Sequence, residues 1–526
     1  MQVTAGARLL AARVRQGVNV TALIIVSIVV LGAGLRLWGI TYGLPYLYHP
    51  DEPLGVQTAL NIVKTGDLNP HFYGYGSLFF YLTAVAYVPY FWLGTVLGVF
   101  HSLADIPNLY VVALGVGQTL MPSEMMVARL VSAVLGVLCI VAAYDLGSRL
   151  RDRRTGRLAA VFVALSPTIV DHSQLVTPNI LATLAVLLTL SALIRLTPHS
   201  RWPAYTLVGA LFGAALASKY NAAMLVTACL AAFVAVRGRQ LLRTPGVYVS
   251  GGAAVLAFLV LTPYAVLDAP KFLADTQFHL SYYSTANHPG MEGNTLEFYV
   301  TYLLRQEGGL AFIGLLATSV YIWQRSRTGL ILAAFAVPYV IYISTLRLRN
   351  DRTILIALPI LLVMAADLIG LTWNLVARRP ASRSRLALQT ILIGLIVISS
   401  SYQTWRSISL NIQRTTPDGR EYARQWLVAH LSPQDKIAAE SYTPFLDPAT
   451  HAVTYLNSLR VHAPDWYVEQ GYKWLVLSSD SYGRFFVDPE VYPAEVAQYT
   501  SLRDRFPEAQ VFDQNGITIR ILRVTP

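Results

Sequence analysis

The stretch Tyr48-His49-Pro50-Asp51-Glu52-Pro53 places two adjacent carboxylates just past the first long apolar run, Thr21 to Trp38. Ionised side chains this close to a bilayer are costly unless they face water, a partner or a substrate. One chemistry that uses them there is proton acceptance: a carboxylate at the membrane–water boundary can take the proton from an attacking hydroxyl while the bilayer delivers the other reactant. An acidic surface loop would carry the same pair, so the choice rests on the residues that accompany it.

Four further groups fall on the same side of the chain's apolar runs. Behind the carboxylates, the stretch Asn69-Pro70-His71-Phe72-Tyr73-Gly74-Tyr75-Gly76 offers the aromatic faces of Tyr73 and Tyr75 and accessible backbone, which suit a sugar ring; membrane interfaces also collect tyrosine. Asp171-His172-Ser173, with Thr177-Pro178-Asn179, follows the proline at 167, and its hydroxyl and amide side chains could equally be helix caps. Lys219-Tyr220-Asn221 contains one of only five lysines in the chain, a point charge able to hold a phosphate or to snorkel. Last comes Arg347-Leu348-Arg349-Asn350-Asp351-Arg352, three arginines where the charge rule predicts few. An anionic partner explains them most simply, because guanidinium pairs bidentately with phosphate oxygens; an internal pair with Asp351 is the plain alternative.

The elements that must position these groups are membrane helices. Of 526 residues, 54% are hydrophobic and 13% charged, against about one-quarter charged in a soluble domain. Cys139 and Cys229 both sit inside apolar runs, as small buried hydrophobes and not as a disulfide, redox pair or zinc site. The net charge of +11 comes from arginines in short loops between apolar runs, which is a membrane-topology pattern and argues against nucleic acid. Arg8, Arg13 and Arg15 predict a cytoplasmic N-terminus and a retained first helix. Ten more runs follow between Met126 and Ser401, alternating basic connections on one side with the candidate groups on the other. Leu78–Phe100 and Leu109–Met121 lack a charge to place them: crossing as a hairpin they make thirteen spans, lying as interfacial helices they leave eleven. Runs such as Leu158–Val170, with Pro167 near its end, are short for a span and predict broken or tilted helices.

The expected organisation is an all-α polytopic membrane domain over residues 1–405, with an outer catalytic loop at 41–77 and a second outer loop at 265–307. A small extracytoplasmic α/β domain over 406–526 follows. In that tail, Glu421–Leu431 and Glu495–Phe506 read as helices, and Lys436–Ala439, Lys473–Ser478, Gln510–Asp513 and Ile517–Val524 as strands.

Taken together, these motifs resemble the lipid-carrier-dependent glycosyltransferases of GT-C fold, in particular the protein O-mannosyltransferase and aminoarabinose transferase group of families 39 and 83. The resemblance is carried by His49-Pro50-Asp51-Glu52, the glycine- and aromatic-rich stretch to Tyr81, Ala128-Arg129-Leu130-Val131-Ser132-Ala133, Ser166-Pro167, Lys219-Tyr220-Asn221 and Arg352 before Pro359, over about residues 20–375. It implies Asp51 as catalytic base, Glu52 as a second catalytic residue positioning donor or acceptor, and the cationic residues as the grip on a polyprenyl phosphate. His49, Tyr73, Tyr75, Asp171, His172, Asn179, Lys219, Tyr220, Arg349 and Arg352 would line the substrate site. Asn179 stands where relatives often carry a second acidic residue, and Thr353 follows Arg352 where an aromatic is common.

The expected activity is inverting transfer of one sugar, hexosyl or pentosyl, from a polyprenyl-phosphate donor to a protein, lipid or glycan acceptor. It would take place at the outer face of the cytoplasmic membrane. The alternative from another class is a transporter or flippase of a lipid-linked or anionic solute; no internal repeat and no mid-bilayer charges favour it. The sequence leaves metal dependence open: His49, Asp51 and Glu52 could hold a divalent cation, or none is required.

Overall fold

The computed structural model describes residues 20–285 and 288–525; the basic stretch with Arg8, Arg13 and Arg15 lies outside the described residues. Within them, six helices are long and apolar enough to cross a membrane, and five more apolar helices run 10–17 residues. Helices α1 (Val20–Trp38), α2 (Glu52–Thr65), α3 (Leu78–Val96), α4 (Pro122–Leu150), α5 (Arg153–Leu165), α6 (Pro167–His172), α7 (Asn179–Arg195) and α8 (Trp202–Ser218) build the first half. The second half includes α9 (Ala269–Ser284), α10 (Thr295–Glu307), α11 (Asp351–Ile354), α12 (Leu358–Ala377) and α13 (Arg383–Thr415). Apolar residues surround α7 and much of α12 on every side, so these helices take the centre of the bundle, packed with α4 and α5.

The run Leu158–Val170 is broken, as its proline predicts. Helix α5 stops at Leu165, Ser166 caps the next turn by accepting the Ile169 N–H, and Pro167 takes the first position of α6, where a missing N–H costs nothing. The carbonyls left at the end of α5 are buried, and buried acceptors need donors. Arg36 of α1 supplies them, donating to Val163 O at 3.0 Å and Ala164 O at 3.1 Å while fully enclosed.

The region without a placing charge departs from both expected forms. Leu109–Met121 is not a helix: it folds as an antiparallel hairpin, β1 (Tyr110–Ala113) and β2 (Val116–Gln118), turned at Gly115 with φ +65°. Valines 111, 112 and 116 favour the extended backbone, and only glycine takes that turn without strain. Helix α3 has the length to cross. Its flanks nevertheless stay at the Asp51 end of the bundle, with Gly76 against Ala217, Tyr81 donating to Leu68 O at 3.0 Å, and Tyr90 bonded to Ser123 at 2.8 Å. A pair of crossing helices is therefore excluded, because its second member is this hairpin.

At the C-terminus, α13 runs unbroken through residue 406, ten residues into the expected outer domain, before α14 (Gly419–His430). Five strands, β3 (Ile437–Ala439), β4 (Val453–Tyr455), β5 (Trp474–Ser478), β6 (Glu508–Gln514) and β7 (Ile517–Arg523), form one sheet in the order β4-β3-β5-β7-β6. Its first three strands are parallel and its last two pairings antiparallel. The strand β4 and two short helices, Pro464–Glu469 and Ser479–Phe486, have too few residues to stand out in the sequence.

Candidate active site

Asp51 and Glu52 are neighbours in sequence and part company in space. Asp51 precedes the first turn of α2, partly exposed, with Oδ2 2.5 Å from Arg352 Nη1. Glu52, one helical step on, is 1% exposed and turned into the protein. Both its oxygens are held by Arg129 of α4, at 2.8 Å from Nε and 2.7 Å from Nη2, and Oε1 also accepts the Val176 N–H at 3.0 Å. Burial opposes ionisation of Glu52, but the Arg129 guanidinium and its hydrogen bonds outweigh it and hold the carboxyl below its usual range. Glu52 is thus enclosed, with both oxygens committed to Arg129 and the Val176 N–H. Arg129 completes the joint by donating to Ile40 O and Tyr42 O at 2.8 and 2.7 Å, so one guanidinium ties together the exit of α1, the start of α2 and α4.

His49 turns its Nδ1 to the Asp51 N–H at 3.2 Å, and burial pushes the imidazole toward its neutral form. The C-terminal domain closes over this loop. Arg420 of α14 stacks on Tyr48 at 3.8 Å from the ring centroid, donates to Tyr42 OH at 3.1 Å and pairs with Asp418.

The aromatic-glycine stretch is scaffold more than binding surface. Tyr73 is fully buried, its OH shared between Asn69 and Asp268 at 2.6 and 3.2 Å, and its N–H donates to Asp275 at 3.0 Å. Tyr220 OH points at the carbonyls of Tyr73 and Tyr75, 3.1 Å from each. Gly74 and Gly76 are there for close approach: a Cβ on Gly74 would fall 1.9 Å from His279 Nε2, and one on Gly76 1.9 Å from Ala217 O. Tyr73 thus offers no face to a ligand, whereas Tyr75 packs edge-on to Phe72 and stays within electrostatic reach of Asp51 and Arg352.

Lys219, in the non-helical link after α8, donates to Asn179 Oδ1 at 2.8 Å, and Asn179 in turn donates to Thr177 at 3.1 Å. The lysine heads a cavity of about 390 Å³ whose other walls include Tyr220, Met224, Leu280, Tyr283 and Leu346. An apolar chamber of that size with one cation in its wall matches an amphiphilic anion. Burial and the neighbouring Arg352 guanidinium push the Lys219 ammonium down to about 7.

The three arginines of residues 347–352 do not act together. Arg347 pairs with Glu292 at 3.0 Å, Arg349 lies against Gly293 in a separate cleft with Asn294 and Arg305, and only Arg352 reaches Asp51. Local geometry separates them: Asn350 caps α11 by accepting the Thr353 N–H at 3.0 Å, so Arg352 is on a helical turn while Arg349 precedes it in extended chain. Arg349, expected at the substrate, is thus placed away from Asp51. Arg349→Ala is expected to leave polyprenyl-phosphate affinity within about twofold, and Arg352→Ala to weaken it by about ten- to hundredfold, the worth of a charge-assisted hydrogen bond. Titration of each purified variant by calorimetry checks the contrast.

Asp171 and His172 sit on the far side of Arg352. Asp171 accepts Arg414 of α13 at 2.5 Å, and His172 is buried with Nε2 3.7 Å from Asp351 Oδ1. Asp171, His172 and Asp351 have ligand atoms within 4.8 Å of one another, the one such group found among the described residues; His49, Asp51 and Glu52, possible ligands by sequence, do not form one. Several of the partners were not apparent as site residues: Arg129, Arg414, Asp268, Asp275, His279 and Asp351. Arg129 had a signal, an arginine seven residues into an apolar helix, where a charge needs a partner, and Asp351 had one as a carboxylate among three arginines.

A polytopic helical bundle with an acidic first loop, a cationic cavity beside it and a C-terminal domain docked on that loop is the GT-C architecture. Residues 107–265 match the profile of the dolichyl-phosphate-mannose-protein mannosyltransferase family. Among solved structures, the archaeal oligosaccharyltransferase AglB from Archaeoglobus fulgidus, in complex with an inhibitory peptide and a dolichol-phosphate, superposes with a TM-score of 0.58 at 14% identity, over 91% of this chain and 71% of that one. ArnT from Cupriavidus metallidurans, bound to undecaprenyl phosphate, gives a TM-score of 0.55 at 14% identity, over 96% of this chain and 98% of that one. No curated protein matches the chain in sequence. At these identities the likeness establishes the GT-C fold.

Proposed function

We propose that the chain is an integral-membrane glycosyltransferase that moves one sugar, with inversion, from a polyprenyl-phosphate donor to an acceptor hydroxyl at the outer face of the membrane. One observation carries the reading: three consecutive residues of a single turn face three parts of the site. Thr353 lines the apolar cavity headed by Lys219, Arg352 grips Asp51, and Asp351 lines a second, polar cavity. The polyprenyl chain occupies the first cavity with its phosphate at Lys219 and Arg352, in keeping with the lipid phosphates bound by the two solved proteins of this fold.

Chemistry then follows from the positions. The acceptor oxygen attacks the anomeric carbon as its proton passes to an Asp51 oxygen. The bond from that carbon to the phosphate oxygen breaks, and the lipid phosphate leaves with the electron pair, its charge met by Lys219 and Arg352. Incubation of the purified chain with radiolabelled polyprenyl-phosphate sugars, resolved into transferred and hydrolysed sugar, tests the activity. Uptake of the intact lipid-linked sugar without bond cleavage would overturn it.

Lys219 adds a pH dependence with a definite sign. Only the ammonium attracts phosphate, and its low-lying titration near 7 means that charge is present below neutrality and lost above it. Donor affinity is expected to fall by up to about tenfold per pH unit above pH 7. In Lys219→Arg, whose guanidinium stays charged, the profile should be flat to pH 9. Binding of a sugar-phosphodiester donor, which does not itself titrate in this range, provides the measurement.

A further inference from the structure

One residue before Arg352, Asp351 opens into a cavity of about 240 Å³ lined by α6, α10, α11 and α13. Its walls are polar, with Asp171, Asp351, Gln306, Arg406 and Gln413 spaced around one aromatic ring, Tyr302. The volume is below the roughly 300 Å³ at which pockets for drug-sized ligands begin, and equals about eight waters at ~30 Å³ each. Two features are left open by the protein's own contacts. The Asp351 side chain is 41% exposed and, among the described residues, has no arginine or lysine in ion-pair distance. Beneath it His172, 5% exposed, has neither ring nitrogen hydrogen-bonded. The Asp351 carboxylate and the amides and guanidinium beside it in this lining favour an occupant that supplies hydroxyls.

We propose that this cavity is the acceptor subsite and that the acceptor is itself a sugar, one ring of which presents its hydroxyls to Asp351, Asp171, Gln306 and Arg406. This rests on the glycosyltransferase reading and extends it by naming the acceptor class. A compact ring surrounded by carboxylates, amides and a guanidinium is how a polyol is recognised. An extended Ser/Thr peptide needs backbone partners along a groove, and a bare lipid needs apolar walls. A divalent cation gains less at Asp171, whose charge Arg414 already offsets. One acceptor hydroxyl then lies toward Asp51, across the single residue Arg352, ready to lose its proton as the new glycosidic bond forms.

Saturation-transfer NMR on the full chain in lipid nanodiscs tests this with methyl α-mannopyranoside, methyl β-galactopyranoside, a threonine-containing tripeptide amide and MnCl2 as separate probes. At least one glycoside should receive saturation, and its affinity should fall at least fivefold in Asp351→Asn and in Ser409→Trp, which fills the cavity from α13. Octyl glycosides run beside the methyl ones separate a lipid-borne sugar from a free glycan end. Polyprenyl-phosphate binding should be unchanged in Ser409→Trp. Absence of glycoside binding, glycoside binding equal in Ser409→Trp and wild type, or competition only by the peptide or by Mn2+ would overturn the proposal. Failure of the wild-type chain to bind polyprenyl phosphate would count instead against the donor reading.

Discussion

Asp51→Asn is expected to cut single-turnover sugar transfer by about 10²–10⁴-fold while leaving polyprenyl-phosphate affinity unchanged or slightly improved. Asparagine keeps the size of the side chain and a hydrogen-bonding oxygen, so the loop around His49 and the start of α2 has no reason to move. What disappears is the ability to accept a proton. Oδ2 of Asp51 is taken by Arg352 at 2.5 Å. A donor phosphate competes for that guanidinium and so releases the carboxylate oxygen when there is a sugar to transfer. Asparagine holds Arg352 less strongly, which is why binding should not suffer. Rapid-quench measurement with labelled donor, beside calorimetric titration of polyprenyl phosphate, separates the two effects. Transfer in Asp51→Asn at more than a tenth of the wild-type rate would remove Asp51 as the base.

How far the sequence discloses this site depends on what kind of constraint each residue obeys. Asp51 is legible because a carboxylate after an apolar run violates a strong solvation rule, and Lys219 for the same reason among so few lysines. The bundle and its basic connections follow from hydropathy and charge, and the tail's longer strands and both its long helices follow from pattern. The fate of Glu52 is not legible. Adjacent helix residues differ by about 100° in direction, and only tertiary packing decides which of Asp51 and Glu52 meets Arg352 and which turns inward. Arg349 and Arg352 share charge and neighbourhood, yet the cap at Asn350 sends one into the site and the other away from it. The run Leu109–Met121 is a short apolar stretch of the kind that periodicity cannot assign, and its valines and glycines decided for a hairpin. The aromatic stretch was informative about location but not about role, since its glycines admit His279 and Ala217 instead of a ligand. Asp171, Asp351 and Arg414 meet from three distant segments, and nothing local in any of them announces the others.

The largest stability effect is expected at Arg129. Its replacement by Met leaves Glu52 buried without a counter-charge, a change that costs about 3–5 kcal/mol where one partner of an enclosed ion pair is removed. It also strips donors from the carbonyls of Ile40 and Tyr42, so the exit of α1 loosens along with the start of α2. Thermal unfolding of the detergent-purified variant should therefore begin well below the wild type, and activity should fall because Asp51 is held by the same loop. Glu52→Gln with Arg129 intact buries an unpaired guanidinium and should destabilise comparably. The double variant Glu52→Gln with Arg129→Gln removes both charges and keeps two amides of similar reach, so it should recover a substantial part of the lost stability, the non-additivity expected of direct partners. If Glu52 instead acted on substrate, the double variant would regain stability with no activity. If its work is to hold the loop, activity should return together with the melting temperature.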